Sequence, residues 1–98
     1  MRVLAGLHQP VEAETPYGGR AVSYEAVGSA WLKAGARRRQ ERGEGDQRHA
    51  VETMSAEARA DPRLALGRVL RFGGADWAIV QVEPARPGRT KLALERLR

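Results

Sequence analysis

The clearest alternation of apolar and polar positions lies in the C-terminal third. Arg68-Val69-Leu70-Arg71-Phe72, a Gly73-Gly74 pair and Trp77-Ala78-Ile79-Val80-Gln81-Val82 read as a β-hairpin on a glycine turn. Pro84-Ala85-Arg86-Pro87-Gly88 supplies a second turn, and Thr90 to Leu97 the last strand of a three-stranded meander. At the other end, Val3 to Glu14 mixes Leu4, Leu7 and Val11 with polar neighbours and contains Pro10, which predicts an edge strand or extended arm. Tyr17-Gly18-Gly19 is a turn signal. Beyond it, Ala21, Val22, Tyr24, Val27 and Trp31 give Arg20 to Lys33 the β-branched and aromatic content of a strand, with Gly28 marking a bulge or bend. Pairing across the turn makes an opening hairpin.

The middle of the chain is different. Lys33 to Ala50 holds no Val, Ile, Leu, Met, Phe, Tyr or Trp. Such a stretch adds nothing to a core, and it predicts a long, flexible polar loop over about 33–50. The segment Val51 to Ala60 carries two patterns at once. Val51, Met54 and Ala58 share a helical face, Asp46 is placed to cap it, and Asp61-Pro62 to stop it. Glu52, Met54, Ala56 and Ala58 also alternate against Val51, Thr53, Ser55 and Glu57, as in a strand. Local propensity leans to a short helix within 47–60. The strand-rich ends nonetheless predict a single all-β domain over residues 1–98, a small antiparallel barrel or sandwich.

Composition changes the picture by showing how little bulk such a core would have. Hydrophobic residues are 42% of the chain, but 16 of them are alanine, and Leu, Ile, Val and Phe together number 19 of 98. A lone monomer built on so few large side chains is expected to be marginal, and so to be completed by copies of itself or by a larger assembly. The absence of cysteine excludes disulfide scaffolds, thiol catalysis and cysteine-based zinc sites. No apolar run approaches the roughly 18 residues of a membrane helix. The first eight residues are too short and soon too polar for a secretory signal, so cytoplasmic synthesis is the expectation.

Charge is uneven along the chain. Residues 1–36 balance three positive against three negative side chains, whereas residues 37–98 carry the whole net +5. The basic residues cluster at Arg37, Arg38, Arg39, Arg42 and Arg48, and again at Arg86, Arg89, Lys91, Arg96 and Arg98. Clusters of this kind can neutralise phosphates, although a solvated loop and chain end look the same in sequence. Catalytic chemistry has no foothold. His8 and His49 are far apart, a metal site from His49, Asp46 and Glu52 would lack a defining spacing, and Ser23, Ser29 and Ser55 sit in no nucleophile elbow. Gly43-Glu44-Gly45-Asp46 lacks the Lys-Ser/Thr ending of a phosphate loop. The expectation is therefore no enzyme, no metal and no cofactor. Trp31, Phe72, Trp77, Ile79 and Val80 are expected in the core or at a subunit interface.

Read in order, these features resemble the small head–tail connector proteins of tailed bacteriophages, the head-completion or stopper type that also occurs in gene transfer agents. The resemblance rests on Pro10-Val11-Glu12, Tyr17-Gly18-Gly19, Tyr24 through Val27 to Ala30-Trp31, Ala58-Arg59-Ala60-Asp61 and Gly67-Arg68-Val69. It continues through Gly73-Gly74-Ala75-Asp76-Trp77-Ala78-Ile79-Val80-Gln81-Val82-Glu83-Pro84, and Arg89 before the final Leu-x-Leu strand. It implies a β-barrel subunit that forms a ring with copies of itself at the head–tail junction of a virion or phage-like particle, assembled in the bacterial cytoplasm. Portal or adaptor proteins would lie on the head side, and a tail terminator or tail tube on the tail side. It also implies that the ring closes the DNA channel, with a long loop toward the lumen. The loop bearing Arg37, Arg38, Arg39, Arg42 and Arg48 would then make nonspecific contact with packaged DNA, away from any membrane. It shifts Val51 to Ala60 from helix to strand. The alternative is a small β-barrel nucleic-acid-binding module.

Overall fold

A computed structural model describes residues 2–44 and 47–97; of residues 44–49 it describes no side chains. Six antiparallel strands run through it: β1 (Arg2–Glu14), β2 (Arg20–Glu44), β3 (Gln47–Arg59), β4 (Val69–Phe72), β5 (Ala75–Pro84) and β6 (Arg89–Arg96). They close in the order β1-β2-β3-β6-β5-β4, so the all-β expectation holds and the sheet is a barrel. Closure rests on three residue pairs between β1 and β4, Gly6↔Arg71 to His8↔Val69. Among the described residues there is no helix.

Outside residues 33–60 the strands form where the alternation placed them, and the interior is filled by one side of each. Leu7, Leu32, Leu70, Trp77, Ile79, Leu92 and Leu94 are fully buried, and among the described residues no buried one is polar or charged. Alanine does more here than its size suggests. Ala5, Ala56 and Ala58 are buried in the same cluster as these large side chains. Burial of Met54, Ala56 and Ala58 at every second residue shows Val51 to Arg59 to be strand, which corrects the helix favoured by local propensity. Strand pairing on both sides, to β2 and to β6, outweighs a preference worth a few tenths of a kcal/mol per residue.

The largest correction concerns residues 33–50. The described part of this stretch is not a flexible loop but the distal half of β2 and the start of β3, paired from Leu32↔Ala58 outward to Glu44↔Gln47. Lack of apolar side chains does mean lack of core. It does not mean lack of strand, because a two-stranded ribbon satisfies its backbone by pairing with itself.

A straight strand of the length of β2, 25 residues, would run about 80 Å. The longest dimension of the molecule is 47 Å, so β2 bends. Register shifts mark the bends. One lies opposite Leu7/His8, where Val27 is the extra residue and Gly28 has φ 149°, the bulge expected there. The second lies between Ala34 and Arg37. In the β4–β5 hairpin, Gly73 and Gly74 (φ 60° and 76°) form the two-residue turn that requires positive φ at both positions.

Candidate functional site

Two ribbons leave the barrel, one from each end of β2. The first is the distal part of β2–β3. Pairing of β3 to β6 stops at Thr53↔Glu95, and beyond it the ribbon stands without a third strand. The alternation of a strand puts Arg37 and Arg39 on one side, and Arg38, Gln40 and Arg42 on the other. The arginines have different employment. The Arg37 guanidinium lies 5.4 Å from the centre of the Trp77 ring, and so caps the core rather than reaching outward. Arg42 pairs with Glu95 at 3.2 Å, while Arg96 pairs with Glu52 at 3.2 Å, two clasps that tie the ribbon to β6. Arg38 and Arg39 are exposed and belong to none of the described ion pairs. The side chain of Arg48 lies outside the described residues, as do Asp46 and the side chain of His49. At the foot of the ribbon, Arg38, Arg42 and Lys91 border a groove of about 540 Å³ with Glu95.

The second ribbon is the far end of β1–β2. Past His8, β1 pairs with β2 alone, and residues 10–14 and 20–26 are exposed on both faces. This arm carries Glu12, Glu14 and Glu25 against Arg20 as its only charged residues. Its apolar side chains Val11, Val22 and Tyr24 are uncovered, and Tyr17 at the tip is 98% exposed.

On the barrel wall between the two ribbons, Trp31 is 63% exposed, opposite Leu4 in the β1–β2 ladder. The two sit in a groove of about 610 Å³ bordered by Arg2, Lys33, Arg59 and Arg89. Two of the cross-strand pairs around it are of like charge: Arg2↔Lys33 and Arg59↔Arg89. Like charges directly opposite one another repel. Part of that repulsion is relieved by Glu57, which accepts hydrogen bonds from Arg86 and Arg89, each 3.0 Å, and whose carboxyl is held below its ordinary range by them. On the same rim Asp61 is held low by the Arg63 side chain and then by the Arg63 backbone N–H. Arg2, Lys33 and Arg59 belong to none of the described ion pairs.

The predicted core or interface residues thus divide. Phe72, Trp77 and Ile79 are core, the two rings stacked with centroids 6.0 Å apart. Trp31 and Val80 face outward, Val80 by strand alternation after the buried Ile79, beside the bulge between Ile79 and Gln81. Sequence reading missed the basic frame of Trp31. Its members come from β1, β2, β3 and β6, and only the register brings them together. Among the described residues no group of three His, Asp or Glu side chains could hold a metal ion.

The ribbons leave a measurable signature. A compact monomer of this mass, 10.8 kDa, would expose about 5,500 Å². The chain exposes 7034 Å², an excess of about 1,500 Å². Its radius of gyration is 14.9 Å, against about 12.6 Å for a compact domain of this length.

The fold has a counterpart. A chain in the virion of a native gene transfer agent particle superposes with a TM-score of 0.72 at 21% identity, covering 97% of this chain and 94% of that one. The two share a fold over nearly their whole lengths. No family model matches the sequence, and no curated protein matches it.

Proposed function

We propose that this protein is a structural subunit of a phage-like particle, a head–tail connector of the stopper or head-closure type. In this reading it forms a ring between the portal or adaptor and the tail, and the β2–β3 ribbon lies toward the DNA channel. The observation that carries the reading is the near-complete likeness of fold to a chain of a gene transfer agent virion. The shape supports it independently. An excess surface of about 1,500 Å² on one chain is nearly twice the roughly 800 Å² that each partner gives to a standard interface, and a domain with two projecting ribbons suits contacts with several neighbours at once. No catalytic step is assigned to it.

Within the ribbon, Arg38 and Arg39 are the side chains proposed to meet phosphates, since Arg37 and Arg42 are engaged within the chain. A ring multiplies their charge by its copy number in a narrow space. Such contacts are independent of base sequence and weaken with salt. The test is removal of the protein from cells that produce the particles. Filled heads without tails, with DNA open to nuclease, are the expected outcome; intact tailed particles would refute the assignment. Particles carrying Arg38→Ser with Arg39→Ser are expected to join tails but to leak DNA, and full DNA retention would remove the lumenal role of the ribbon.

A further inference from the structure

We infer that the acidic β1–β2 arm of one copy lies in the basic Trp31 groove of the next. The inference rests on the ring assembly proposed above and names the surfaces that would build it. Three observations lead to it.

First, the arm is incomplete alone. A two-stranded ribbon without a third strand or a core against either face is marginally stable in water. Here Val11, Val22, Tyr17 and Tyr24 are all uncovered, and each strand keeps one unpaired edge. Second, the groove is incomplete in the complementary sense. Leu4 and Trp31 form an apolar floor at 52% and 63% exposure, inside a rim where Arg2↔Lys33 and Arg59↔Arg89 set like charges opposite each other. An anionic, partly apolar occupant relieves the repulsion and covers the floor together. Third, the charges match. The arm has three carboxylates against one arginine, and the groove is bordered by Arg2, Lys33, Arg59, Arg63 and Arg89 against Asp61.

A nucleic acid would answer the charge of the groove but leave the arm bare. A second copy answers both at once. Arm and groove are different patches of one chain, so the contact is heterologous, and repetition generates a closed ring or a filament rather than a two-fold dimer. One arm face is about 20 Å by 10 Å, well below the roughly 800 Å² per partner of a stable binary complex. Each contact is therefore weak and sensitive to salt, and ring closure makes the set stable.

Two variants of the full chain test this by capping. Glu14→Gln with Glu25→Gln disables the arm without making it complementary to an acidic groove, and Lys33→Glu with Arg59→Glu disables the groove; all four side chains are exposed. In low-salt sedimentation the unaltered chain is expected to self-associate, each variant alone to remain monomeric, and an equimolar mixture to give dimers and nothing larger. The chain has two tryptophans, and Trp77 is fully buried, so acrylamide quenching reads Trp31. Its quenching should fall at least threefold on assembly. A mixture that stays monomeric while the unaltered chain assembles would overturn the arm–groove contact and leave the connector reading intact. An unaltered chain that stays monomeric while an oligonucleotide shields Trp31 would overturn it in favour of nucleic acid. Capped dimers from a chain absent from particles would preserve the contact and refute the connector. Should a double variant unfold, the single changes Glu14→Gln and Lys33→Glu make the same comparison.

Discussion

Arg37→Ala should destabilise the protein where Arg38→Ala and Arg39→Ala do not, although the three are neighbours in a run of like residues. The guanidinium of Arg37 lies 5.4 Å from the centre of the Trp77 ring, near the Gly73 turn. An exposed cation over an indole contributes about 0.5–1 kcal/mol. Its loss lowers the melting temperature of a domain this size by about 2–8 °C at 4–8 °C per kcal/mol. Arg38 and Arg39 touch nothing comparable, and their removal should change stability by less than about 0.5 kcal/mol. Thermal and urea unfolding of the three variants, followed by circular dichroism, makes the comparison. A double-mutant cycle of Arg37→Ala with Trp77→Phe should show coupling of about 0.5–1 kcal/mol. Equal melting temperatures for the three single variants would refute the assignment of Arg37 to the core.

Leu94→Ala, at a fully buried position, should cost about 2–5 kcal/mol, much of the stability of a small domain, whereas Leu66→Ala at an exposed one should cost under about 0.5 kcal/mol; urea midpoints decide between them, and equal midpoints would contradict the core as described. Glu57 is held below its ordinary value of 4.5 by hydrogen bonds first from Arg86 and then from Arg89. Its contribution is therefore complete above pH 4.5 and lost as pH falls through the lower folded value. Glu57→Gln should be less stable than the unaltered chain above pH 6 and converge with it in acid, and parallel pH–stability curves would show that the carboxylate makes no such contribution.

Much of the fold was legible in the chain because its elements are marked by local chemistry. Gly73-Gly74 between two alternating runs specifies a hairpin, and Gly28 in a strand specifies a bulge; both are present. Residues 33–50 were misread because apolar patterning reports burial, whereas a polar ribbon is held by backbone pairing and by clasps such as Arg42–Glu95, whose partners stand 53 positions apart. The candidate site was legible only in fragments. The arginine run could be seen, but not that Arg37 turns inward, since the register shift between Ala34 and Arg37 decides it. The Trp31 groove could not be seen at all, because its basic rim is assembled across four strands.

The most direct measurement is electron microscopy of particles carrying a gold label or an epitope on this protein. A ring of several copies at the junction of head and tail, and nowhere else, is the predicted result. Label scattered over the capsid, or particles that contain none of the protein, would contradict the connector assignment.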